Sequence, residues 1–358
     1  MSSYKTSLPV SQKTYYTSSD NIDFKLSFPN MSVVGNTIRL SGNLQVYKDA
    51  TPTPVTAQNI YYDGMCGIHS FFNNLVVSSQ LKGIVENQSE YPRWIKMKNS
   101  ATFTNSQIVS DSKSLNQLLF SDFTLSNSYL NSKLPFSCHL DICLNNVVNN
   151  GVLNYSTWGD ITLSVRIVQA IECLFGSDMT NDVNFRLTDL SCDYLTVQEL
   201  KDKSPVLMTI NYPLKQTINS ANAMLDVKLP SIINKVSCSF LQQSQQYQMT
   251  FNNLELQQPS GIYKLFYNFN NSTTGYVSYP VESLVDMIDH YLASFSNYDN
   301  KNDCTVKKVQ DDKFFGVGLD FAQNIDLSNS SFGLNILSSI SGVTPFYIFM
   351  YFQGLIQV

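Results

Sequence analysis

Apolar residues recur at every second position along much of this chain. Phe24, Leu26 and Phe28 fall on one face. Ile38, Leu40, Leu44 and Val46 do the same, with Gly42 between them. Phe136, Cys138, Leu140, Ile142 and Leu144 make a third run, and Ile161, Leu163, Val165 and Ile167 a fourth. In the second half Tyr247, Met249 and Phe251 alternate, as do Tyr263, Leu265, Tyr267 and Phe269. A period of two places successive side chains on opposite faces of a strand, so these runs predict half-buried strands. Asn, Ser, Gly and Pro cluster between them, which is turn chemistry. Longer loops are expected over Asn99–Ser114 and Asn145–Tyr155.

One segment changes period. From Pro280 to Tyr298, Val281, Leu284, Val285, Ile288, Tyr291, Leu292 and Phe295 follow helical spacing, with Pro280 suited to the first turn. A shorter helix is expected from Pro92, carrying Trp94, Ile95 and Met97. No phosphate-binding loop, dinucleotide fingerprint or βαβ rhythm is visible.

The elements repeat in order. Gly67-Ile68 and Gly261-Ile262 each open an aromatic-rich strand, and Tyr91-Pro92 and Tyr279-Pro280 each stand at a helix start. FSCHLDICL from Phe136 matches FFGVGLDFA from Phe314, with Leu140-Asp141 against Leu319-Asp320. Each half is then expected to end on a long apolar strand, ITLSVRIVQAIECLF from Ile161 and PFYIFMYFQGLIQV from Pro345, aligning Gln169-Ala170-Ile171 with Gln353-Gly354-Leu355. Each copy has room for about eight strands and a helix, and eight antiparallel strands in two packed sheets make a jelly roll. The expected fold is therefore all-β: two tandem eight-stranded jelly rolls with short helices in the connecting loops. The first spans residues 1–180 and the second 205–358. The polar, strand-poor stretch from Gly176 supplies a connector over 181–204. The last strand is apolar on both faces, Phe346, Ile348 and Met350 on one and Tyr347, Phe349 and Tyr351 on the other. Its outer face needs cover from a neighbouring barrel or subunit, because large exposed aromatic patches are rare.

Composition narrows the function. Charged residues make up 14%, against about 25% in an average protein, and the net charge is -5. A chain whose main task is gripping nucleic acid needs a basic face, which this balance does not provide. Aromatic content of 12% favours collapse over disorder. The N-terminal MSSYKTSLPVSQKTYYTSS has no apolar core, so no secretory leader is expected, and no apolar run is long enough for a membrane helix. The seven cysteines are widely spaced without a CxxC, which suits buried apolar thiols in a cytosolic chain better than a disulfide framework.

Candidate chemistry is sparse. Cys138, His139 and Cys143 cluster, but alternation sends Cys138 to the core and leaves His139 and Cys143 on the other face, short of a tetrahedral set. His290 beside Asp286 and Asp289 reads as a surface helix pair. His69 next to Ser70 is badly placed for nucleophile activation. The sequons at Asn30, Asn87, Asn154, Asn270, Asn271 and Asn329 are what chance supplies in a chain this rich in Asn, Ser and Thr. Tyr15, Tyr16, Tyr61 and Tyr62 suit sugar stacking or an interface, and equally plain packing. No pair of inward carboxylates marks a glycosidase. No catalytic, cofactor-binding or metal residue is therefore assigned.

Two tandem jelly rolls with this repeated strand–helix–strand order resemble the double jelly-roll major capsid proteins of tailless icosahedral viruses, the lineage of adenovirus and the membrane-containing phages. The resemblance covers nearly the whole chain at the level of architecture. It implies a structural protein without enzymatic activity or cofactor, three copies of which form a pseudo-hexagonal capsomer. It also implies outward-projecting loops, contacts with neighbouring capsomers and with penton and minor capsid proteins, and an underlying membrane or genome without specific nucleic-acid recognition. The chain would be made in the host cytoplasm and reside in the virion. The alternatives are a penton or minor capsid protein, for which a single jelly roll is usual, and a carbohydrate-binding β-sandwich adhesin, which should carry an export signal.

Overall fold

The computed structural model describes residues 2–48, 59–102, 133–199, 205–218, 222–228, 232–259, 261–271, 275–295, 315–326, 330–338 and 345–357. The first half contributes β1 Ser2–Ser7, β2 Asn21–Leu26, β3 Met31–Val34, β4 Arg39–Lys48, β5 Phe72–Ser79, β6 Gly83–Gln88, β7 Leu134–His139, β8 Val152–Asn154, β9 Ile161–Ile167 and β10 Val183–Gln198. The second contributes β11 Leu207–Ile218, β12 Asn222–Lys228, β13 Ile232–Gln242, β14 Ile262–Asn271, β15 Gly275–Val281, β16 Gly316–Asp326, β17 Ser330–Ser338 and β18 Phe346–Gln357. Helix α1 covers Tyr91–Thr102 and helix α2 Leu284–Ala293.

The second half forms two four-stranded antiparallel sheets, β11-β18-β13-β16 and β12-β17-β14-β15. Counted from its own first strand, the order is 1-8-3-6 in one sheet and 2-7-4-5 in the other, the pairing of a jelly roll. The first half repeats it. Setting aside β3 and β8, its sheets run β1-β10-β4-β7 and β2-β9-β5-β6. Strands β3 and β8 extend the first of these sheets past the end of β4, β3 pairing with Thr196–Gln198 of β10. In both halves the helix lies between the fifth and sixth strands of the roll, α1 between β6 and β7 and α2 between β15 and β16.

The period-two residues line the interiors. Phe24, Leu26, Leu40, Leu44, Leu163 and Val165 are buried in the first barrel, and Val236, Cys238, Phe240, Leu265 and Tyr267 in the second. Rings from opposite sheets meet edge to face, Phe332 with Phe352 at 5.4 Å between centroids. An aromatic side chain removed from water in this way contributes roughly 1.5–3 kcal/mol.

Several expectations need correction. The stretch 181–204 is not a strand-poor connector: Val183–Gln198 is the longest strand of the first half and pairs with β1, β3 and β4. Residues 200–204 lie outside the described residues. Its alternation is hidden by a bulge. Val183, Phe185 and Leu187 are buried, then Leu190, Cys192 and Tyr194, and the register with β4 shifts between Thr188 and Ser191. Asp189 takes a left-handed backbone, φ 54°. One extra residue moves the buried set from odd to even positions, so a single period no longer spans the strand. Gly42 of β4 lies opposite the bulge, where an added Cβ would stand 2.6 Å from Leu190 Cδ2.

The alignment of the two halves changes accordingly. The strand from Ile161 is the seventh of its roll and corresponds to β17, while the counterpart of β18 is β10. Gln169-Ala170-Ile171 and Gln353-Gly354-Leu355 therefore do not correspond: Ala170–Cys173 is a single helical turn, and Gln353–Leu355 is inside β18. Tyr247, Met249 and Phe251 are not in a strand. Tyr247 has φ 63°, and its N–H donates to Asn253 Oδ1 at 2.7 Å, folding the segment into turns. The run from Phe136 leaves its strand at His139, and Leu140, Ile142 and Leu144 stay buried beyond it. Helix α2 begins at Leu284 rather than Pro280, because Ser283 Oγ accepts the N–H of Asp286 at 3.1 Å and caps it. Pro280 sits in β15, an edge strand, where a missing N–H is tolerated. Of the loop expected over Asn99–Ser114, Asn99–Thr102 is the end of α1 and the rest lies outside the described residues.

Candidate functional site: the seam between the barrels

The residues singled out for chemistry are dispersed. Cys138 is in the core, as expected. His139 and Cys143 do not share a face, because the strand ends between them: His139 Nε2 lies 3.2 Å from the Arg39 guanidinium, while Cys143 is buried with its N–H on Glu86. Among the described residues no group of three or more His, Cys, Asp and Glu side chains is placed to hold a metal ion. His69 Nδ1 is 2.9 Å from the Tyr91 hydroxyl. Asp286 Oδ2 accepts the Ser283 hydroxyl, and the His290 ring lies 5.6 Å from that of Tyr279. Tyr16 and Tyr62 are buried, Tyr61 packs on Phe175 at 5.9 Å, and Tyr15 is 46% exposed under the Arg186 guanidinium. Asn154 is buried on β8, whereas Asn30 and Asn87 are exposed. Asn329 lies outside the described residues, as does Cys304. The six described cysteines are free and buried. Burial pushes the thiols of all six up from their usual range.

What the fold does bring together is a buried polar and aromatic seam organised by α1. Tyr91, Pro92, Arg93, Trp94 and Ile95 are all buried, on every side of the helix's first turn. A helix turn buried all round has no solvent face, and here its sides meet different barrels. Towards the first barrel, the Tyr91 hydroxyl also accepts the N–H of Asp141 at 3.0 Å. Towards the second, Arg93 is 2% exposed and stacks its guanidinium 4.1 Å from the centre of the Phe349 ring. Its N–H groups donate to the carbonyls of Glu255 and Asn253. Burial works against that charge and on balance lowers its pKa; two carbonyls and an aromatic face compensate in part.

Trp94 joins both sides. Its Nε1 donates to Asp141 Oδ2 at 2.5 Å, and its ring lies 5.3 Å from Tyr351 of β18 and 5.5 Å from Phe295 after α2. The Tyr351 hydroxyl donates to the carbonyl of Glu90 at 2.7 Å. This is the cover that the outward face of β18 requires, and a helix of the first barrel provides it.

Charges are paired around this core. Asp141 accepts from Lys98 at 2.9 Å and from Asn146 at 2.8 Å. Burial alone would raise its carboxyl; the Lys98 ammonium and the donors from Asn146 and Trp94 more than offset this and hold it below the usual range. Asp63 behaves alike: burial opposes its charge, but Lys96 at 2.9 Å and Asn252 Nδ2 at 2.7 Å keep it low. Asn252 belongs to the second barrel, so this pair also crosses the seam. Backbone bonds add to it, from the N–H of Thr209 to the carbonyl of Asn146 at 3.0 Å and from the N–H of Gly176 to that of Met249 at 2.8 Å. The chemistry of the site is attachment: two barrels held at one mutual angle by a helix fully buried at its start.

Sequence reasoning found the strand that needed cover but not its cover. Arg93 and Trp94 were visible inside the short helix YPRWIKM, and a charge set in an otherwise apolar turn was the available signal.

No protein-family model matches the chain, and no curated protein matches it. Solved structures do. The chain superposes on the quasi-atomic model of the PBCV-1 virus capsid with a TM-score of 0.64 at 8% identity, over 99% of this chain and 93% of that one. Against the Faustovirus major capsid protein the TM-score is 0.60 at 9% identity, over 100% and 90%. Against the crystal structure of the mavirus major capsid protein it is 0.52 at 7% identity, over 98% and 86%. At such identities the likeness is one of fold, and it extends over both jelly rolls.

Proposed function

We propose that this chain is the major capsid subunit of an icosahedral virion and that three copies assemble into a pseudo-hexagonal capsomer. The observation that carries this reading is the pair of jelly rolls fixed side by side by α1, in a fold shared end to end with the Faustovirus and mavirus major capsid proteins. Three such chains around a three-fold axis present six similar barrels, so the outline approximates a hexagon and tiles a shell. That geometry requires the two barrels of one chain to keep a constant angle, which the buried seam supports. A penton or minor subunit with a single roll does not fit the duplicated fold, and no arrangement in the seam favours a sugar site.

The reading places the protein in the virion, in contact with copies of itself, with penton and minor capsid proteins and with whatever membrane or genome lies beneath. It asks for no cofactor and no catalytic residue. A charge-poor surface rich in Ser and Asn loses less on burial between subunits than a heavily charged one. Light scattering on the purified chain should give close to three chain masses, and negative-stain images should show three-lobed particles with a hexagonal outline. A strictly monomeric protein at micromolar concentration would count against the proposal.

A further inference from the structure

One carboxylate in the seam is not explained by the docking network. Glu86 is on β6, the edge strand of one first-barrel sheet, and is 3% exposed. Its Oε2 accepts the N–H of Cys143 at 2.7 Å, and its Oε1 accepts the N–H of Asn211, on edge strand β11 of the second barrel, at 3.1 Å. One oxygen thus serves each barrel. Among the described residues no cation pairs with it; Lys215, from β11, is engaged with Glu90 at 3.4 Å. Two neighbouring amide side chains are also unsatisfied. The Oδ1 of Asn211 is buried without a partner, as are both polar side-chain atoms of Gln88, two residues along the same face of β6.

We propose that the seam between the barrels is pH-responsive and that Glu86 is the group that titrates. As a neutral acid, Glu86 keeps its two oxygens near the two N–H groups and gains an O–H able to serve an unfilled acceptor such as Asn211 Oδ1. As an anion, it places an unpaired charge in the seam, with only neutral donors around it.

Burial pushes the carboxyl up to about 7; the N–H groups of Cys143 and Asn211 pull the other way without overcoming it, and the charge of Asp141 adds to the rise. The groups facing Glu86 are identifiable. From the chain after β7 come the Cys143 thiol, itself raised by burial, and Asp141, held low with Lys98 beside it. Strand β5 brings no titratable side chain, β11 brings Tyr212 and Lys215, and Glu90 follows β6. A carboxyl whose folded value lies above its ordinary 4.5 makes the closed seam bind more protons than the open one. The resulting stabilisation is complete below about 4.5 and is lost as pH rises through about 7.

Two measurements on the full chain test this. Infrared difference spectra of wild type against Glu86→Gln should show the band of a buried, protonated carboxyl at pH 6, fading with a midpoint near 7. Hydrogen exchange of peptides around Cys143 and Asn211, corrected for intrinsic rates, should show the opening constant of wild type rising about tenfold between pH 6 and pH 8.5, with no such rise in the variant. Should Glu86→Gln fail to fold, Glu86→Met serves as the reference for both. A carboxylate already ionised at pH 6, or equal pH slopes in wild type and variant, would overturn the proposal.

Discussion

The sheet β1-β10-β4-β7 of the first barrel turns Arg39, Ser41, Asn43, Gln45 and Tyr47 outward, and they meet other polar groups there. Ser41 bonds Ser137 at 3.0 Å, Asn43 bonds Asp189 at 2.8 Å, and Arg186 spans Gln45 at 2.8 Å. The equivalent sheet of the second barrel, β11-β18-β13-β16, turns out Tyr347, Phe349 and Tyr351 beside Ser237, Ser239, Gly316 and Gly318. Strand order is the same; what lies outside is different. Over the second sheet α1 lays Arg93 and Trp94 on the aromatics, while α2 settles on the small residues, with Ser294 Oγ 2.8 Å from Ser237 Oγ. Gly316 is required by that approach, since a Cβ would lie 2.2 Å from the Tyr291 ring. An outer face in this fold is therefore composed for its neighbour: polar where it meets loops and solvent, aromatic or small where a helix of the same chain covers it.

The comparison can be broken most severely at β18. Removing the last twelve residues, 347–358, takes out a strand paired on both sides together with the buried side chains of Ile348, Phe349, Met350, Tyr351 and Phe352. At roughly 1.5–3 kcal/mol for each side chain, the loss is comparable to a domain's whole net stability, and the protein should be recovered insoluble. Removing residues 2–7, an edge strand with most side chains exposed, should leave soluble protein with a lower denaturation midpoint. Solubility after expression distinguishes the two, and a soluble, trimeric chain lacking 347–358 would show β18 to be peripheral.

Next in size is Trp94→Ala, which empties the space between Tyr351 and Phe295. Its cost should be about 3–5 kcal/mol, read from chemical denaturation. Asn43→Ala, on the polar face of the first barrel, should cost about 0.5 kcal/mol. Equal costs would mean that the two outer faces do not differ energetically. A loss between those two is expected from Tyr351→Phe. It keeps the ring packed against Trp94 and removes only the bond to the Glu90 carbonyl, so a loss of about 1 kcal/mol is expected in the same assay.

Which parts of this were legible in sequence follows from what each signal measures. Alternation reports which face of a strand is apolar, so β2, β4, β9 and β14 were found from it, and the two-sided pattern of β18 announced a second neighbour. It fails where a backbone irregularity changes its phase. Beyond the bulge at Thr188–Ser191 the buried set of β10 moves to even positions, and the strand reads in sequence as a linker. With β10 hidden, the apparent repeat shifts by a strand and sets β9 against β18. Tyr247, Met249 and Phe251 alternate by composition alone, and turns decided by Asn253 and a left-handed Tyr247 overrule them. The seam lay further out of reach. The apolar residues of α1 predict a buried helix but not which barrel receives each side, and the bonds to Asp141, Asn252, Asn253 and Glu255 join positions up to 189 residues apart.

The buried thiols have a consequence of their own. A cysteine exchanges or oxidises as its thiolate and needs contact with the oxidant. The six described here lack exposure, and burial disfavours their ionised form. Redox chemistry therefore has no purchase on them: no cross-link needs to form for the barrels to hold, and none needs to be broken. Whether the surrounding medium is reducing or oxidising, these six sulfurs keep the same covalent state, and packing alone maintains that part of the structure in either.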